Sequence, residues 1–324
     1  MTQQSTSLLV GLFAGVSAAL LLISARSSSS VLFAQLSVAA FALPILIAGL
    51  GWSNFASTVA IASAMAVIGL LATPQDALIY GVIALAPAAW IAHLSNLARP
   101  AEEIGGPEGA VAWYPLSDIL FSIAICVCIG VVGVGLATGN LVDQIDHFYD
   151  ASVATLKDSN SSYEVSAEEL AQTKRLILLL LPKILATTTA ATWVTILLGC
   201  WYVASAIVRQ SGRSKRPKDD LPSQLRMPRN GIIALAAGIV LSFVDGGIGL
   251  IGWTICGAFG MGFIVAGFAI AHHRTRGRPS RGLLLWIAYL SALFTLPLAF
   301  FLFLGLFDTA RTLTATGSGP NSNT

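Results

Sequence analysis

Residues 117–138 read SDILFSIAICVCIGVVGVGLAT, and Asp118 is the only acidic or basic side chain among them. At ~1.5 Å per residue a helix of this length spans a hydrocarbon core of about 30 Å. Unsatisfied backbone N–H and C=O groups are costly in lipid, so such a run has to be helical there. Working outward, the chain holds nine apolar runs of this kind, at 8–24, 31–50, 54–73, 76–97, 117–138, 184–208, 230–245, 248–271 and 283–307. The seventh is cut short by Asp245-Gly246-Gly247. Its helix would reach only about 24 Å, so the seventh and eighth runs either both cross or form a re-entrant pair, and eight crossings remain the alternative.

Composition agrees. Of 324 residues, 55% are apolar and 10% charged, against about a quarter charged in a soluble domain. Mean hydropathy is +0.77. These figures exclude a soluble enzyme, a nucleic-acid binder and a disordered chain, and they make the lipid bilayer the first partner. The net charge of +2 says nothing about others. The expected fold is an all-α, polytopic transmembrane helix bundle over residues 1–308, with a disordered tail at 309–324.

Direction follows from the cations. Of 18 Lys and Arg, seven fall between Arg209 and Arg229 and four between Arg274 and Arg281. Both clusters occupy short loops separated by two runs, so both belong inside. Counting back places the N-terminus inside, the loop at 139–182 outside and the tail outside, in a bacterial inner membrane. Arg26 dissents, as a lone cation in an outer turn. No Lys or Arg precedes the first run, and Ile23-Ser24-Ala25-Arg26 is a poor cleavage site, so that run is expected to stay as an anchor helix.

In the outer loop, Leu141, Val142, Ile145, Phe148, Tyr149, Val153 and Leu156 recur at helical spacing, with Asp143, Asp146 and Asp150 between them. This predicts an amphipathic helix. Ser166 with Glu169 forms a capping box that starts the next helix, which is expected to project or bend as far as Pro182. The sequon Asn160-Ser161-Ser162 is taken as chance. The basic loop, 209–230, is expected to be loose, setting topology and touching anionic lipid. Cys126, Cys128, Cys200 and Cys256 all lie in apolar runs, where packing is the expected role.

Ionisable groups at membrane depth are candidate sites. Asp76, Asp118, Lys183, Asp245 and Asp308 qualify. The topology above brings Asp76, Lys183, Asp245 and Asp308 to the outer side, where they could line one binding site with Lys183 paired to a carboxylate. Against this, Asp76, Asp118 and Asp245 stand at helix N-termini, where a carboxylate simply complements the dipole. Gly11-x-x-x-Gly15 and Ala14-x-x-x-Ala18 let another helix approach closely, as a packing or partner interface. The glycines between Gly249 and Gly267 point to a helix tightly clasped by its neighbours. His93, six residues after the kink expected at Pro87, and His272-His273 have structural roles in this reading. No metal, no cofactor and no nucleotide motif is expected.

Gly11-Leu12-Phe13-Ala14-Gly15-Val16-Ser17-Ala18-Ala19, Pro44…Gly49-Leu50-Gly51-Trp52, Trp113-Tyr114-Pro115-Leu116, Leu181-Pro182 and Gly305-x-x-Asp308-x-x-Arg311 together resemble the YybS-like family of uncharacterised bacterial multi-spanning proteins. That family is in turn similar to the substrate-binding components of energy-coupling-factor vitamin transporters. The resemblance implies a solute-binding component, with Ala14 and Ala18 meeting a membrane coupling subunit, although such components usually have six spans. The alternative is a non-catalytic scaffold for envelope proteins. An enzyme is not expected, because no spacing places a nucleophile beside a base.

Overall fold

The computed structural model describes residues 3–139, 141–158 and 166–315, and these are helical almost throughout. α1 (Gln3–Ser27) leads to α2 (Val31–Ala40) and α3 (Leu43–Gly51), which make one apolar helix of 21 residues interrupted just before Pro44. α4 (Asn54–Leu71) follows, then α5 (Pro74–Tyr80), a π-helical turn (Gly81–Leu85) and α6 (Ala86–Ser95). Pro87 explains that turn. It has no N–H to give the Ile83 carbonyl, and the helix widens instead of breaking. A small hairpin, β1 (Ala98–Pro100) against β2 (Val111–Trp113), joins α6 to α7 (Leu116–Thr138). Beyond it lie α8 (Leu141–Asp158), α9 (Ala167–Gln210), the short α10 (Leu221–Gln224), α11 (Arg229–Ser242), α12 (Gly246–Arg274), α13 (Arg281–Ser291) and α14 (Thr295–Ala315).

Among the described residues, seven helices are long and apolar enough to cross a membrane, or eight if a bent pair counts as one. The fold is therefore the expected all-α polytopic bundle. The expected amphipathic helix is α8. Tyr149 donates to the Leu170 carbonyl at 2.9 Å, and Lys174 of α9 reaches Asp146 at 2.7 Å and Asp150 at 2.8 Å. The Ser166–Glu169 capping box starts α9. Its 44 residues reach about 66 Å, twice the hydrocarbon core, so its first part extends past the other helices alongside α8.

Two of the nine runs are not plain full-length helices, and for the seventh this agrees with the short reach its sequence implied. The run 230–245 is α11, whose 14 residues reach only about 21 Å. Phe243 and Val244 then turn the chain straight into α12, and the reversal is tight because a Cβ on Gly252 would lie 2.3 Å from the Ser242 nitrogen. The run 283–307 is no single crossing. α13 and α14 meet at 114° across Ala292–Phe294. Pro297 has no N–H for the Leu293 carbonyl and obstructs a continuous helix there.

Contacts sort the helix ends onto two faces. On one, Arg226 is 2.9 Å and Arg274 3.9 Å from Asp308, Arg276 pairs with Asp220, and Arg216 donates to the Tyr114 carbonyl at 2.7 Å. This basic face collects the ends of α3, α6 and α9 and the start of α7. At the other face, Arg26 of α1 meets Asp76 of α5 at 2.5 Å. The end of α14 thus lies at the basic face, not opposite it as the span count implied. Residues 309–315, expected to be disordered, are helical. Residues 316–324 and the Asn160-Ser161-Ser162 sequon lie outside the described residues.

Candidate functional site

The four candidate charges do not share a site. Asp76 belongs to a cap. Thr73 accepts from the Asp76 backbone N–H and donates to its carboxylate at 2.6 Å, and Arg26 completes the pair. The dissenting cation is thereby neutralised by the neighbouring hairpin. Asp245 occupies the N-cap position of α12 without a side-chain cap bond, and Asp118 sits in the first turn of α7. Asp308 is held by Arg226 and Arg274 at the basic face. Lys183, half-buried on α9, makes no ion pair among the described residues.

The small residues of α1 are used within the chain. A Cβ on Gly15 would lie 2.2 Å from the Ala60 carbonyl oxygen, and one on Gly11 2.6 Å from that of Ala56, so this face clasps α4. Ala18 is fully buried; Ala14 is half-buried and borders a lipid-facing groove with Pro44, Ile47 and Trp52. His93 Nδ1 is 2.6 Å from Asn54 Nδ2, and His272 Nε2 is 2.7 Å from the Tyr289 hydroxyl. No three His, Cys, Asp or Glu side chains among the described residues are grouped to hold a metal. Cys200 donates to the Ala39 carbonyl at 3.0 Å, a packing role.

Instead, the structure opens a cavity of about 250 Å3 at the basic face, between the end of α6, the last turns of α9 and the segment 214–222. Its floor is hydrogen-bonded. The buried Trp201 indole donates to Ser95 Oγ at 2.8 Å, Ser95 donates to the Ile91 carbonyl at 2.7 Å, and Asn96 donates to the Gly49 carbonyl at 3.0 Å. Its roof is the segment expected to be loose. Arg216 grips Asp219 through Nε and Nη2 at 2.7 and 2.9 Å while holding the Tyr114 carbonyl. Farther along, Leu225 and Met227 are buried, and Thr309 of α14 donates to the Met227 carbonyl at 3.1 Å. Asp220 anchors the middle of the strap. The Arg276 guanidinium and then the Ser223 hydroxyl hold its carboxyl well below the usual carboxylate range, and Asp220 in turn raises Arg276.

Sequence reasoning passed over this cavity because eleven cations in two loops spoke first for topology. The available signals were the acidic pair Asp219-Asp220 set inside a basic run, with Arg216 three residues before Asp219, and the polar pair Ser95-Asn96 ending an apolar helix.

Over residues 7–309 the chain matches the family described as predicted membrane protein (DUF2232). The chain belongs to that family. The matched region takes in all or most of each described helix long enough to cross, together with the strap and Asp308. The family's description carries membrane residence and names no activity. No curated protein and no solved structure matches the chain.

Proposed function

We propose that the protein is a solute-binding component of a membrane transport system in a bacterial inner membrane, with the basic face and its cavity on the cytoplasmic side. One observation carries the reading: a structured cavity with polar and apolar walls, set between membrane helices and a pinned strap. A scaffold needs no such space. The short hairpin of α11 with α12 and the bent pair α13–α14 fit the same reading, because interrupted helices at membrane depth are tolerated where protein or a cavity surrounds them. The resemblance to the YybS-like family and to energy-coupling-factor components points the same way. Coupling subunits would then supply the energy, since the chain has no nucleotide motif, and no catalytic step is assigned to it.

The test is ligand-induced thermal stabilisation of the purified protein in micelles, screened over classes of soluble metabolites. A stabilising solute is expected in the wild type and not in Ser205→Trp, which fills the cavity, whereas Lys183→Ala should leave the effect intact. Equal stabilisation of Ser205→Trp would remove the cavity from the reading. One feature favours the scaffold alternative: Phe148 on α8 is 74% exposed beside acidic residues, an unpartnered ridge beyond the bundle. A chain that no solute stabilises, but that loses a stable envelope partner on Phe148→Asp, would establish that alternative.

A further inference from the structure

We propose that the cavity at the basic face is an anion site shaped for a phosphate-bearing group. This rests on the solute-binding reading for the cavity being a site at all, and adds the chemical class of what enters. Three cations, Arg209, Arg216 and Lys218, and two carboxylates, Asp219 and Asp220, line the space. Both carboxylates are committed: Asp219 to the fork of Arg216, and Asp220 to Arg276 from the next loop. The side chains of Arg209 and Lys218 make no hydrogen bond or ion pair among the described residues, and they leave two positive charges facing the space.

Tyr202, Ser205 and Arg209 stand at i, i+3 and i+7 on α9, so they form one column of donors along the cavity wall. Lys218 comes from the strap. A planar fork, a point charge and two hydroxyls bring donors from two elements, α9 and the strap, which a phosphate with three acceptor oxygens uses more fully than a carboxylate with two. The carbonyl end of α9 opposes an anion. That opposition is blunted, because the N–H groups of Ser211, Gly212 and Arg213 already bind the carbonyls of Ile207, Arg209 and Val208. A volume of about 250 Å3 admits a phosphate with a short organic stem; drug-sized sites begin at roughly 300 Å3. The phosphate could arrive on a soluble monoester or on the headgroup of an inner-leaflet lipid.

The experiment measures the unfolding temperature of the full chain in micelles against inorganic phosphate and glycerol 3-phosphate, with choline chloride at matched ionic strength. A second arm compares nanodiscs of phosphatidylcholine with nanodiscs that also contain phosphatidylglycerol. Saturable stabilisation by the phosphates is expected, weakened about tenfold or more in Arg209→Gln and in Lys218→Gln. Lys218 is exposed and outside any helix, so its variant keeps the fold. Stabilisation confined to the phosphatidylglycerol discs and lost in both variants would uphold the anion site and name a lipid as its source, while ending the transport reading. Stabilisation only by neutral or cationic solutes, blocked by Ser205→Trp, would overturn the anion proposal and leave transport standing. No response in either arm, or a response equal in both variants, would overturn it outright.

Discussion

Gly257→Ala adds one methyl group to the middle of α12, where α9 crosses it. A Cβ at that position would lie 2.2 Å from the Thr187 carbonyl oxygen, while ordinary contact begins at 3.4 Å. The obstacle is backbone, which cannot rotate aside, so α9 and α12 would have to part by about 1.2 Å, the difference between those distances. Parting them also strains the bond from Thr187 Oγ1 to the Trp253 carbonyl, already 3.3 Å long. Gly199→Ala is the matched control, because nothing lies within 4 Å of its Cβ and α9 is helical there too. Both substitutions gain the same helix propensity, roughly 1 kcal/mol, so it cancels in the comparison. What remains is the overpacking cost of about 1–3 kcal/mol, and a backbone obstacle puts it in the upper half of that range. Reversible unfolding in mixed micelles, followed by tryptophan fluorescence, measures the difference directly. Gly257→Ala is expected to fall about 2 kcal/mol or more below Gly199→Ala. A gap under about 0.5 kcal/mol would refute the claim that α12 is clasped through its glycine face.

Ser95→Ala leaves the buried Trp201 indole without its acceptor, at a cost of about 1–3 kcal/mol in the same assay; adding Trp201→Phe removes the orphaned donor and should recover part of that loss. Asp220 is held below its ordinary pKa, so the Arg276 link is complete above about pH 4 and lost as pH falls further. Hydrogen exchange over residues 214–228, corrected for its intrinsic pH dependence, should therefore stay flat from neutral pH down to about 5 and rise at lower pH. Asp220→Asn should show the faster exchange already at neutral pH. In a chain freed of its four cysteines, single cysteines replacing Asp150 and Ser223 should label from opposite sides of the membrane. One replacing Arg311 should label with Ser223; labelling with Asp150 would contradict the bent pair.

Much of the bundle could be read from hydropathy because lipid leaves the backbone a single option. The runs at 31–50, 54–73, 76–97 and 117–138 each form one helical span, continuous or interrupted by a turn, within a few residues of the expected ends. The capping box at Ser166 and the amphipathic α8 were equally legible, since both depend on residues three or four apart. The strap was not. Its order comes from Arg216 reaching Tyr114 and from Thr309 reaching Met227, partners separated by 102 and 82 residues. Local sequence holds no trace of such pairings, and a basic, proline-containing run looks the same whether it is pinned or free. The hairpin of β1 with β2 was missed for a different reason: its strands are three residues each, too short for alternation to register, although Gly105, Gly106, Pro107 and Gly109 marked the turn.

The sidedness of Asp308 shows how one kind of error propagates and another does not. A span count assigns faces by parity. Reading α11 as a full crossing was harmless, because α11 and α12 together leave the basic face and return to it whether or not the first reaches the far side. Reading 283–307 as one crossing was not harmless. α13 and α14 also leave and return, so one expected passage is really a there-and-back excursion, and everything after Pro297 changes face. Asp308's apparent place beside Asp76, Lys183 and Asp245 depended on that single parity step. Removing it releases Asp308 to Arg226 and Arg274, whose basic surroundings explain a carboxylate near the end of an otherwise apolar helix better than a remote pocket did. The same correction binds the C-terminal helix to the strap through Thr309, so the last element of the chain helps fix the roof over Ser95 and Trp201.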